Sequence, residues 1–298
     1  MGDVIRTDGV DPGRNVGEYF RLQRWEIPPV NGGLSELAGR APVDDHQRGA
    51  GGGLRTGGLL TSVDSIGGML AGLSVQPQWI VTTSMMATVT RLSHRGPLRL
   101  HARVLRRGRN AVVTGLDVVD EGNRDLPVAS VTMTSAVLDP GNMQHHFDRP
   151  IRSAMPPPSP NPQGIEEFFG IEAGAGAVTH LDLADHLRNP WGILHGGAVA
   201  TLADVAACRA VAADRAGGGN GSGDGTADGD GRGRGGAGGL AAGDMVIHYL
   251  RPSRVGPVEA RCKVIGGQDG RTLVRVAVHD VGADHRLVDL ASVAVVEV

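Results

Sequence analysis

The stretch NPWGILHGGAVATLAD, residues 189–204, sets Asn189, the tripeptide His195-Gly196-Gly197 and Asp204 at spacings of six and nine. Histidine, two glycines and a run of small apolar residues read as the start of a buried helix. The first N–H groups of a helix lack intrahelical partners and sit at the positive end of its dipole, so they suit a developing oxyanion. Glycine at 196 lets a reacting group come close to that backbone. A carboxylate among alanines and leucines is costly to bury unpaired, so Asp204 calls for a partner or a task, as general base or as nucleophile. The plainer readings are a capping turn for His195 and a partly solvated helix position for Asp204. Nine helical residues span about 13.5 Å, so His195 and Asp204 cannot both touch one reacting carbonyl. A site using both residue types must take the helix start from one element and the carboxylate from another.

The second element is present in the same chain. GPVEARCKVIGGQDGRTLVRVAVHD, from Gly256, lies against GPLRLHARVLRRGRNAVVTGLDVVD, from Gly96. Both begin Gly-Pro, alternate apolar and polar residues, turn on a Gly/Arg cluster and alternate again, the pattern of antiparallel strands. Each ends in a further apolar strand, VASVTMTSAVL and LVDLASVAVVEV. Upstream, RTGGLLTSVDSIGGML from Arg55 parallels LHGGAVATLADVAACRAV from Leu194. Each half therefore reads as one central helix followed by a meander of long strands.

The divisions expected are an N-terminal extension and leading strand over 1–50, a first repeat over 51–139, a Pro-rich connector over 140–164 and a second repeat over 165–298. Within the second repeat, residues 217–239 are more than half glycine with almost no apolar side chains and predict a disordered surface insertion. Its Asp spacing does not fit the calcium-binding nonapeptide repeat, and its Arg-Gly run is too short for an RNA-binding tail.

Lys plus Arg number 29 against 32 Asp plus Glu, which gives no bulk charge for nucleic acid or a membrane surface. No stretch reads as a membrane span and no secretory leader is evident, so the expectation is a soluble, cytoplasmic protein. Cys208 and Cys262 have no metal-ligand partners at useful spacing, and His145-His146 reads as an exposed pair in the connector, so no metal is expected. There is no Gly-x-Ser-x-Gly elbow and no phosphate loop.

Asn189, His195, Gly196, Gly197 and Asp204, with DMVIHYLRP from Asp244, resemble the phenylacetate-degradation type of acyl-CoA thioesterase, a hotdog-fold family. The resemblance is close over 165–298 and looser over about 50–138. It implies an α+β fold of two hotdog repeats, each an antiparallel sheet wrapped around a central helix, forming an intramolecular pseudodimer. It also implies acyl-CoA as substrate, with CoA entering only as part of that substrate, no other cofactor, and a homodimer of such pseudodimers as one assembly. Members join a helix start and a carboxylate across a dimer interface, with a hydroxyl residue on the following strand nearby.

Two pseudo-symmetric sites follow. One joins Asn189, His195 and Gly196 to Asp64, which stands nine after Arg55 as Asp204 stands nine after His195. Thr82, with Thr83 beside it, supplies the hydroxyl. The other joins Asp204 to Arg55-Thr56-Gly57-Gly58, lacks the Asn and the His, and has Ala242 at the hydroxyl position. Aligning the Gly-Gly pairs instead would set Ser65 opposite Asp204; Asp64 is adopted because a buried carboxylate needs a reason. Gly197, Arg251 and Arg254 are the candidate CoA contacts, solvated arginines being the plainer reading of the last two. The alternatives to hydrolysis are an acyl-CoA-binding module without turnover and a hotdog hydratase or dehydratase.

Overall fold

The two alternating stretches fold as long antiparallel hairpins, and the two small-residue runs fold as helices that these hairpins enclose. The structure, a computed structural model, describes residues 15–26, 35–139, 152–174, 178–217 and 239–298. The first part runs α1 (Val16–Tyr19), β1 (Gln23–Glu26), β2 (Glu36–Ala41), α2 (Thr56–Ser74), β3 (Trp79–Val89), β4 (Leu98–Arg107), β5 (Ala111–Asp120) and β6 (Leu126–Leu138). After the two-residue strand β7 (Arg152–Ser153) come α3 (Ile165–Phe169), β8 (Ile171–Ala173), β9 (Val178–Leu181) and α4 (Gly196–Gly217). The chain closes with β10 (Leu240–Tyr249), β11 (Val258–Gln268), β12 (Arg271–Asp280) and β13 (Arg286–Glu297).

All the described strands join one antiparallel sheet in the order β7-β1-β2-β4-β5-β6-β3-β10-β13-β12-β11-β9-β8. From the central β3–β10 seam outward, one side reads β3, β6, β5, β4, β2 and the other β10, β13, β12, β11, β9, the same succession of elements. At the seam Met85 lies opposite Ile247 and Ser84 opposite His248. Each inner strand carries a bulge near its start, at Thr82/Ser84 in β3 and at Ala242/Met245 in β10. A bulge re-aims the side chains beside it.

Helix α2 contains five glycines and α4 is rich in alanine. Propensity alone would not make α2 a helix; burial on nearly every face does, with Leu59, Leu60, Val63, Ile66 and Leu70 in the core. The glycines let other backbones close in. A side chain at Gly57 would collide with the Thr201 backbone, and one at Gly197 with Thr61. Because 57 meets 201 and 61 meets 197, the two helices cross antiparallel with their starts at opposite ends. The Thr61 and Thr201 hydroxyls meet at 3.2 Å in the crossing.

Several expectations change. A boundary at residue 51 would separate β2 from β4, which pair from Glu36↔Arg103 to Ala41↔Leu98, so the first sheet half includes β2. The connector contributes β7, which pairs with β1. His145, His146 and all but the ends of the Gly-rich tract lie outside the described residues. Contrary to the expectation about spans, α4 is long and apolar enough to cross a bilayer by length and composition, but most of that window is buried between sheet and α2. Both cysteines are free. A further pairing went unread: Glu18-Tyr19-Phe20 and Glu167-Phe168-Phe169 lie at the ends of two short helices, and their rings pack together, Tyr19 stacked 3.9 Å from Phe168. Two Glu-aromatic-aromatic triplets were the available signal.

Candidate active site

The antiparallel crossing places the start of each helix beside the carboxylate of the other. At the start of α4, His195 Nδ1 stands 3.3 Å from Asp64 Oδ2 of α2. The Gly197 N–H points at the same region, 3.2 Å from Asp64 Oδ2 and 3.0 Å from His195 Nδ1. Thr82, turned by the β3 bulge, donates to Asp64 Oδ1 at 3.0 Å. Asp64 is only 8% exposed, and each of its oxygens has a donor.

Gly196 is the closest approach. A Cβ there would lie 2.8 Å from Asp64 Oδ2 and 3.3 Å from Tyr249 Cζ, so any side chain would enter the space between carboxylate and helix start. Among the described residues the Gly196 N–H has no hydrogen-bond partner, which leaves it as a donor for an oxyanion. Asn189 shapes the preceding loop: its Oδ1 accepts from the N–H groups of Trp191 (2.9 Å) and Ile193 (3.3 Å). Trp191 meets Trp79 edge-on at 5.5 Å, tying that loop to the strand that carries Thr82. Sequence reasoning missed Tyr249, whose hydroxyl donates to the Gly196 carbonyl at 3.0 Å. Burial, with the charges of Asp64 and Asp289 adding, pushes the Tyr249 pKa well above its ordinary value, so the hydroxyl keeps its proton. The corresponding position of the other inner strand is Val89.

The other crossing is built differently. Asp204, 1% exposed, accepts the Gly57 N–H at Oδ2 (2.8 Å) and Arg55 Nε at Oδ1 (3.1 Å). Arg55 takes the place that His195 has opposite, and sequence reasoning did not foresee its ion pair. Burial opposes the Arg55 charge, but Asp204, Cys208 and Glu166 more than offset it and hold its pKa above the usual range. Arg55 Nη1 reaches Glu166 Oε1 at 3.0 Å, and Arg209 Nη2 reaches Glu166 Oε2 at 2.7 Å. Burial pushes the Cys208 thiol up, as does neighbouring Asp204. A cavity of about 370 Å³ lies on this side.

The geometry thus brings Asp64, Thr82, His195 and Gly196 together and keeps Asp204 apart from them. Ser65, the other register, bonds its own helix at Thr61 O instead. Gly197, expected as a CoA contact, is buried in the helix crossing with its N–H directed at Asp64, so packing accounts for it. Arg251 and Arg254 are exposed. Their loop abuts the site, since the Leu194 N–H donates to Ser253 O at 3.1 Å. Among the described residues no group of His, Cys, Asp and Glu could hold a metal ion.

Residues 192–283, from the loop before His195 to the turn after β12, match the model of the thioesterase superfamily. Curated proteins offer no match to the chain. Among solved structures, an acyl-ACP thioesterase from Bacteroides thetaiotaomicron superposes with a TM-score of 0.55 at 11% identity, over 87% of this chain and 97% of that one. The 12:0-ACP thioesterase from Umbellularia californica gives 0.54 at 8% identity, over 88% and 94%. The tesB protein of Mycobacterium avium subs paratuberculosis gives 0.53 at 12% identity, over 89% and 93%. At such identities the likeness defines the fold, and that fold is the hotdog.

Proposed function

We propose that the chain hydrolyses acyl-CoA thioesters at a single site between two tandem hotdog repeats of the phenylacetate-degradation type. The observation that carries this reading is the Asp64 carboxylate of one repeat, held by Thr82 and the Gly197 N–H, 3.3 Å from His195 at the helix start of the other. The superfamily match covers the half that supplies this helix start. The repeat reading is supported by the mirrored sheet order and by equivalent small devices. Asp120 accepts the N–H groups of Arg95 and Gly96, while Asp280 accepts those of Arg254, Val255 and Gly256. Arg48 and Arg188 brace the loops before the two helices, bonding Gly52 O and Gly192 O.

In this reading the thioester carbonyl oxygen lies at the Gly196 N–H, where negative charge is stabilised as it develops. Asp64 takes a proton from water, the resulting hydroxide adds to the carbonyl carbon, and the C–S bond breaks to release CoA thiolate and the acid. Thr82 fixes the carboxylate, Asn189 fixes the loop, and His195 orients carbonyl or water. Direct attack by Asp64, through an anhydride that water then opens, uses the same placement. Arg251 and Arg254, beside the loop that precedes His195, face the CoA phosphates. The chemistry calls for no metal or redox group. The crossing at Arg55 and Asp204 has lost this equipment and is not a second hydrolytic centre.

The test is purified protein on short, aromatic and long acyl-CoAs, with thiol release followed and Asp64→Ala alongside. Turnover that vanishes in the variant is the expected result. No turnover on any thioester, with acyl-CoA still bound, would overturn the hydrolase in favour of a binding module.

A further inference from the structure

The crossing that lacks the histidine nonetheless opens on a cavity lined by both charged and apolar side chains. Asp204 is spoken for by Arg55 Nε and the Gly57 N–H. The remaining reach of Arg55 goes to Glu166, whose second oxygen binds Arg209. Glu166 therefore bridges two guanidinium groups as a carboxylate supplied by the chain itself. It is the loosest member of the group: its side chain is 41% exposed and it rides on a five-residue helix. Arg209 also holds Nη1 buried without an acceptor among the described residues. Leu54, Leu92, Leu240 and Ala242 line the rest of the cavity, whose volume of about 370 Å³ suits a small organic ligand.

We propose that this cavity binds a monocarboxylic acid, its carboxylate replacing that of Glu166 between Arg55 and Arg209 and its apolar tail lying along the leucine wall. The exchange keeps the charge of the group unchanged, one anion for another, while Glu166 turns out to solvent. A guanidinium pair already shaped around a carboxylate presents its donors at the right separation. A dianionic phosphate would leave an excess negative charge beside buried Asp204. The proposal stands apart from the hydrolytic reading, because no thioester takes part in it.

Titration calorimetry of the full chain with octanoate, and with octanol as the uncharged control, tests it. Saturable binding of octanoate and none of octanol is expected. Glu166→Gln, which removes the competing charge, is expected to tighten octanoate severalfold, and Arg209→Gln to weaken it by about tenfold or more. Asp64→Asn is expected to leave the octanoate affinity unchanged. No binding at millimolar octanoate, equal binding of octanol, indifference to both the Glu166 and Arg209 substitutions, or a dependence on Asp64 would each overturn the proposal. Thermal unfolding of each variant shows that the fold is kept, and Glu166→Gln, a gain of binding, cannot be mimicked by misfolding.

Discussion

Asp64 has its two oxygens held from two different elements, a strand hydroxyl on one and a helix N–H on the other. Such a carboxylate is fixed in direction before any substrate arrives, which is what a base for an attacking water requires. Asp64→Asn preserves the shape and both neighbours but removes the basicity. Its kcat on the best acyl-CoA should drop by about 10²–10⁴-fold, with the unfolding midpoint nearly unchanged; steady-state kinetics and thermal denaturation measure the two separately. In the proposed reaction Tyr249 acts one step removed, as a positioning residue, through its hydrogen bond to the Gly196 carbonyl. Tyr249→Phe leaves the ring and deletes the hydrogen bond. It should lower kcat by about tenfold with KM little altered, and cost about 1 kcal/mol of stability, read by denaturant titration. A purely structural role would reproduce the second effect without the first.

The helix pair turns one sequence pattern into two unlike sites. The crossing demands small residues at Gly57 and Gly197, because the opposing backbone is in contact there. It then brings each carboxylate to a foreign helix start whether or not that start can do chemistry. Where the start offers histidine, the buried carboxylate stays beside a polar ring that is itself 18% exposed. Where it offers arginine, Asp204 is locked into an ion pair. Removing the arginine alone strands a carboxylate that is 1% exposed. Arg55→Met should therefore cost about 3 kcal/mol, near the lower end for breaking a buried pair because Arg55 is itself 21% exposed. The double variant Arg55→Met with Asp204→Asn should regain most of that loss. Chemical denaturation of both variants gives the comparison, and equal losses would refute the ion-pair account.

Across the whole molecule, the β3–β10 seam and the helix crossing join the two halves through the core itself. The halves should unfold together: one calorimetric transition is expected, with calorimetric and van't Hoff enthalpies in agreement, and two resolved transitions would contradict it. The stability of the whole also depends on pH through Asp289 on β13, which is 2% exposed and has no partner for Oδ2 among the described residues. Burial raises its pKa well above the ordinary carboxylate value. Below that ordinary value both states hold the proton. Above it the unfolded chain releases the proton while the fold retains it, so stability falls as pH rises, by up to about 1.4 kcal/mol per unit until the raised pKa is reached. Asp289→Asn should remove this slope, and its advantage over the parent should be larger at pH 8 than at pH 5 in denaturant unfolding.

From sequence alone came the two matching stretches, the helix starts, the nine-residue argument that one helix cannot complete the site, and the naming of Asp64, Thr82 and His195 as groups to be joined. Periodicity and spacing are local, and a backbone of fixed rise converts them directly into distances within one element. What sequence could not supply were relations between elements. The facing of Asp64 toward the other helix start, chosen from sequence only because a buried carboxylate needs a reason, depended on how two helices rotate against each other, and the place of Tyr249 depended on the register of β10 across the sheet. The Arg55–Asp204 pair and the Glu166 bridge join residues 149 and 111 positions apart. Contacts of that kind are decided only when packing brings the segments together, because nothing in the local chain distinguishes an arginine that will meet a buried carboxylate from one that will face water.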